Sequence, residues 1–170
     1  MPQSLHTFCN WLANTPPSQL FQNVAWIIPA VQSVHIFCIS LVMGSVALID
    51  LRLLGITGRS QSISGMTNRL LPIVWVSIVI LFLTGAVLAI AEPIRSLENP
   101  AFQAKMLMLL LVGTLTFFFQ DMLRGDVAFW EMSPARRATA KLTAVVSLLL
   151  WVGIVFAGRW IAYMDTSYGG

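Results

Sequence analysis

The chain has 170 residues, 57% of them hydrophobic and 10% charged, with a mean hydropathy of +0.79. A soluble domain carries about 25% charged residues, so this composition excludes intrinsic disorder, a nucleic-acid module and an ordinary cytosolic enzyme. The net charge of +3 and the pI near 9.3 matter through the placement of Lys and Arg, not through their sum.

The first 23 residues contain no Lys or Arg, and the apolar stretch that follows is too long for a signal-peptide core. The expectation is that no signal peptide is cleaved. Leu5, Phe8, Trp11 and Leu12 fall on one helical face, which predicts a short helix lying in the membrane interface. Asn14-Thr15-Pro16-Pro17 ends it. Four stretches, at about 25–49, 70–91, 101–119 and 142–163, then have the roughly 20 apolar residues that a membrane-crossing helix needs. None alternates with the period of two of a barrel strand, so helices are expected. Pro29 and Pro72 lie near the entry points of the first two helices, where a kink is tolerated. Asn99-Pro100 opens the third. Ser133-Pro134 reads as an N-cap followed by proline at the first helical position, so the fourth begins about two turns before it enters lipid.

The expected fold is therefore all-α: one domain over residues 1–170, an integral membrane four-helix bundle with a short N-terminal interfacial helix. Arg52, Arg59, Arg69, Arg124, Arg136, Arg137 and Lys141 flank one side, seven basic residues against three (Arg95, Lys105 and Arg159) on the other. The basic excess marks the cytoplasmic side and leaves both termini outside, in the periplasm if the membrane is a bacterial inner membrane. Trp26 and Trp160 then sit at the outer interface, and Trp75 and Trp130 at or near the inner one. The lipid bilayer is the first expected partner, and nucleic acid is not one.

His35 lies about ten residues into the first helix, roughly 15 Å along its axis. Hydrocarbon offers an ionisable group no partner, which makes His35 a candidate for function. Neutral imidazole is the usual ligand of haem iron. The alternative is a hydrogen bond across the bundle to Thr84, Thr114 or Thr116. Lys105 stands about one turn inside the third helix, where a lysine can snorkel. Glu92, Lys105 and Arg159 gather on the outer side, and with His35 they would suit a planar cofactor with acidic groups, such as haem with its propionates.

Asp50 and Arg52 end the first helix on the opposite side. Two residues apart, they do not face each other, so each needs a partner elsewhere, Asp121 or Arg124 being available. A structural clamp is the expected role. Gly44, Gly85, Gly113, Gly153 and Gly158 are expected to allow close backbone approach. Met43, Met106 and Met108 read as core filler rather than copper ligands. Cys9 and Cys38 are too few for a disulfide scaffold or a Cys-based metal cluster. With His6 and His35 the only histidines, a dihaem site with four imidazoles is excluded. One bis-histidine haem would need His6 to fold over the bundle.

The run Trp26-x-x-Pro29-x-x-Gln32-x-x-His35, with Gly44, Asp50-Leu51-Arg52-Leu53-Leu54-Gly55, Thr84-Gly85, Glu92-Pro93 and Asn99-Pro100-x-Phe102-x-x-Lys105, resembles an uncharacterised family of small bacterial four-helix membrane proteins. More distantly, the order His35, Gly44, Arg52, Phe102 and Lys105 is similar to that of HemJ-type protoporphyrinogen oxidases, and the chain to CopD-like copper-resistance membrane proteins. The HemJ likeness implies one haem b, a membrane oxidoreductase, and His35 and Lys105 as the essential pair. The histidines that follow the arginine and precede the lysine in that family are absent here. The functional expectation is one haem b with His35 as axial ligand to the metal. Lys105 is its second ligand or a propionate partner, and Arg159 a propionate partner. The competing expectation is a non-enzymatic membrane subunit, an assembly factor or a copper-handling protein, with a homo-oligomer or a membrane redox partner.

Overall fold

In lipid a backbone must satisfy its own hydrogen bonds, and long apolar segments do so as helices. A computed structural model describes residues 3–57, 63–124, 134–161 and 163, and among these there are helices and no strands. In chain order they are α1 (Gln3–Ala13), α2 (Pro16–Asn23), α3 (Ile27–Leu53), α4 (Ile63–Ala91), α5 (Pro93–Leu97), α6 (Pro100–Arg124) and α7 (Pro134–Trp160). Four stretches are long and apolar enough to cross a membrane: Ile27–Leu53, Gly65–Ala91, Pro100–Phe118 and Arg137–Trp160. At 1.5 Å per residue, the 27 residues of α3 extend about 40 Å, more than the roughly 30 Å of hydrocarbon.

Several boundaries differ from the sequence expectation. α4 begins at Ile63 rather than near residue 70. Ile63 is buried with Leu53, Ala140 and Ala144, so tertiary packing carries the helix beyond its apolar stretch. Pro72 consequently lies inside α4 rather than at its entry. Pro29 is in the first turn of α3, where no intrahelical N–H bond is lost. α7 is helical from Pro134, the first described residue of its segment, and the Ser133 cap lies outside the described residues. Asn99 caps α6: its Oδ1 accepts from the Ala101 N–H at 2.9 Å, and its Nδ2 donates to the Ile161 carbonyl at 3.4 Å. Trp130 and Arg59, and the side chains of Asp121, Arg124 and Arg136, lie outside the described residues.

The long helices run up and down, with α3 packed against both α4 and α7, and α6 against α7. One core cluster draws on all four, through Val42, Val74, Val112, Trp151 and Ile154. Outward-facing Phe82 (75% exposed), Phe118 (68%) and Phe156 (66%) would be costly in water, and they suit contact with lipid. We call the end where α3 and α6 begin and α4 and α7 finish the terminal end, and the opposite one the loop end.

The short helices fold over the terminal end. α1 packs on α5, and α2 on α4. Gln22 Nε2 donates to the Ala91 carbonyl at 2.7 Å, and His6 Nδ1 meets Glu98 Oε1 at 2.9 Å. Phe8 and Trp11, with ring centroids 5.8 Å apart, stay exposed on the outside of α1. Trp26 and Trp160 are exposed at the same end, as an aromatic belt requires.

Candidate functional site

His35 faces α4 roughly 12 Å from the start of α3, counted at 1.5 Å per residue. Its Nδ1 lies 2.7 Å from Thr84 Oγ1. The Thr84 hydroxyl has one proton, directed to the Ile80 carbonyl at 2.7 Å, with the Leu81 carbonyl at 3.3 Å. With that proton on the Ile80 carbonyl, Oγ1 accepts from Nδ1–H, the tautomer that leaves a lone pair on Nε2. Among the described residues Nε2 makes no hydrogen bond. Of the three threonines proposed from sequence, Thr84 is the partner. Thr114 and Thr116 turn back to the Leu110 and Val112 carbonyls at 2.8 and 2.7 Å.

Gly85 sits against the same ring, and a Cβ there would lie 3.5 Å from His35 Cε1. Lys105 enters from α6, and its charge acts on His35. Its chain runs towards α7, where a Cβ at Gly158 would be 3.7 Å from Nζ. The ammonium has no hydrogen bond or ion pair among the described residues. The terminal end thus brings His35, Thr84, Gly85, Lys105 and Gly158 together from all four long helices.

Other terminal-end charges stay at the rim. Arg159 is exposed, with its guanidinium 3.5 Å from the Tyr163 hydroxyl and 5.9 Å from the ring centre. Glu92 pairs with Arg95 at 3.0 Å in an exposed contact. His6 lies over this end but spends Nδ1 on Glu98. Beside it Cys9 is fully buried, and burial, then the Glu98 charge, pushes its thiol pKa up.

At the loop end Asp50 and Arg52 are 6% and 3% exposed. They form no ion pair with each other, as their spacing indicates. Ser147 on α7 is a hydrogen-bond partner of the Asp50 carboxyl, a contact that sequence reasoning missed. A serine in an apolar helix carries no signal of which neighbour it meets. The His6–Glu98 pair, 92 positions apart, had no local signal either.

The glycine expectation needs correcting. Gly85, Gly153 and Gly158 admit side chains rather than backbones, namely His35, Met108 and Lys105, while a Cβ at Gly44 or Gly113 would meet nothing within 4 Å. Met43 and Met108 do pack on the core cluster, but Met106 is 50% exposed. No group of three or more His, Cys, Asp or Glu able to hold a metal ion occurs among the described residues.

The model of a family of unknown function, DUF6644, matches residues 24–164, and the chain belongs to that family. No curated protein and no solved structure gives a significant match.

Proposed function

We propose that the terminal end of the bundle holds one haem b, making this membrane protein a small redox-associated component and, if it turns over a substrate, an oxidoreductase. The observation that carries the reading is the His35–Thr84–Ile80 chain. A haem ligand needs a neutral imidazole with one nitrogen fixed as a donor and the other left free, and outer-shell hydrogen bonds commonly supply that arrangement. Here Nδ1 lies 2.7 Å from the Thr84 hydroxyl, which holds it as the donor when the hydroxyl proton goes to Ile80. The donor set suits haem: one oriented imidazole, a lysine amine beside it, and a guanidinium at the rim. His35 would bind the iron. Lys105 would be the second ligand or hold a propionate, and Arg159 would hold a propionate from the rim. When bound, haem supplies one-electron iron chemistry. The protein's own part is to orient the imidazole, keep Nδ1 protonated and exclude water with the surrounding apolar helices. The resemblance to HemJ-type proteins leads to the same pair, His35 and Lys105.

The seven-to-three distribution of basic residues favours an orientation with the terminal end outside, which is the periplasm in the bacterial inner membrane we propose. Cysteines introduced at Gln61 and Ala128 should react with impermeant thiol reagents from the cytoplasm, and one at Ser96 from the periplasm. A cytoplasmic Ser96 would reverse the orientation. The cofactor itself is tested by purifying the protein from haem-replete cells, where a Soret band is expected. Lys105→Met separates the two roles of the lysine. An axial amine would change the spin state and Soret position, whereas a propionate partner would mainly weaken retention. A colourless preparation would remove the haem reading.

A further inference from the structure

We propose that Asp50 is a proton-binding site, a carboxyl carried neutral inside the membrane at the loop end. Asp50 belongs to the membrane-crossing stretch Ile27–Leu53 and is 6% exposed. Its Oδ2 is closed off from solvent and has no hydrogen-bond partner among the described residues, while Ser147 serves the carboxyl from α7. The adjoining cluster of Leu53, Ile63, Ala140 and Ala144, with Ile49 packed against it, is apolar. An ionised carboxylate offers about four acceptor sites, and burying one costs several kcal/mol even after relaxation. One hydroxyl does not offset that. A proton removes the charge and most of the cost.

Among the described side chains, the charged groups of the elements packed here are Arg52 on α3, Arg69 on α4, and Arg137 and Lys141 on α7, with Arg69 and Lys141 exposed. Arg52 lies two residues on and so faces away from Asp50 on the helix. Among the described residues Asp50 forms no ion pair with any of them. α3, α4 and α7 also bury the hydroxyls of Ser45, Thr67, Ser77 and Ser147, groups that can accept or donate a proton. The site stands 15 residues from His35, roughly 22 Å along α3, so it neither requires nor supports a haem at the other end.

The test uses the full chain in liposomes with dicyclohexylcarbodiimide, an apolar reagent for protonated carboxyls. The acid proton passes to a carbodiimide nitrogen, the carboxyl oxygen bonds the central carbon, and the adduct rearranges to a stable acylurea. Peptide mass spectrometry should find the label on Asp50 at neutral pH, lost in Asp50→Asn, declining as pH rises and unaffected by sodium. Infrared spectroscopy of the same sample should show a protonated carbonyl stretch that Asp50→Asn removes. The isosteric neutral variant should keep its thermal midpoint within about 2 °C, a shift expected of less than about 1 kcal/mol. Absence of the infrared band at neutral pH, or a large stability loss in Asp50→Asn, would show an ionised clamp and overturn the proposal. Protection of the label by sodium would overturn it in favour of a cation site.

Discussion

The two ends of the bundle handle polar side chains in opposite ways. At the terminal end, His35 and Lys105 are half-buried, and each keeps an atom uncommitted among the described residues, the Nε2 lone pair and the ammonium. At the loop end, Asp50 and Arg52 are almost fully buried, next in the chain to Leu53, which packs with Ile63, Ala140 and Ala144. The first arrangement leaves donors and acceptors available to a ligand. The second commits polar groups to holding helix ends together or to storing a proton. Glycines sharpen the contrast, because Gly85 and Gly158 make room for the two polar side chains at the terminal end. Polarity within a membrane helix therefore does not by itself mark a cofactor site. The proposed haem site rests on the uncommitted atom as well.

The largest effect should come from the loop end. Arg52→Ala truncates a side chain that is 3% exposed and leaves a cavity at the helix ends, which should cost about 3 kcal/mol. Lower accumulation and a lower unfolding temperature in detergent are expected, with any bound chromophore unchanged in the protein that survives. Loss of chromophore at normal protein levels would move the site to that end. Next in size is Gly153→Ala, whose Cβ would stand 2.9 Å from Met108 Sδ. The flexible methionine can swing aside, so destabilisation of about 1 kcal/mol is expected in the same assay. Its counterpart at the terminal end is Gly85→Leu, which should push the His35 ring away and reduce chromophore retention more than stability.

The smallest effect concerns the strap over the terminal end. Breaking the exposed His6–Glu98 contact should cost no more than about 1 kcal/mol, the upper range for surface ion pairs. Cys9 provides a sensitive readout. Its thiol pKa is raised by burial and then by Glu98, so Glu98→Gln lowers the pKa, increases the thiolate fraction and loosens α1. Alkylation of Cys9 near neutral pH should accelerate several-fold and rise further with pH. An unchanged rate would mean that the strap does not hold α1 down.

The long helices were legible in the sequence because lipid demands continuous apolar runs, and Asn99-Pro100 marked a helix start through local cap chemistry. The start of α4 was not, since Ile63 is helical through packing against α3 and α7, which no local pattern records. His35 and Lys105 stood out as rare charges in apolar helices, and Thr84 was one of three threonines in reach. What selected it was the register of α3 against α4, set by the whole core. Ser147 beside Asp50 and Glu98 beside His6 depend on the same long-range register. They could be read only from the folded chain.

The central claim is that the free nitrogen of His35 at the terminal end exists to bind iron. Its most direct test is the absorption spectrum of the protein purified from haem-replete cells, wild type beside His35→Ala. Replacing one histidine by alanine makes α3 more lipophilic, so insertion should be preserved. The account predicts a Soret band in wild type and its loss in His35→Ala at equal protein yield. Identical haem spectra from the two proteins would make His35 a packing residue bonded to Thr84 and contradict the account.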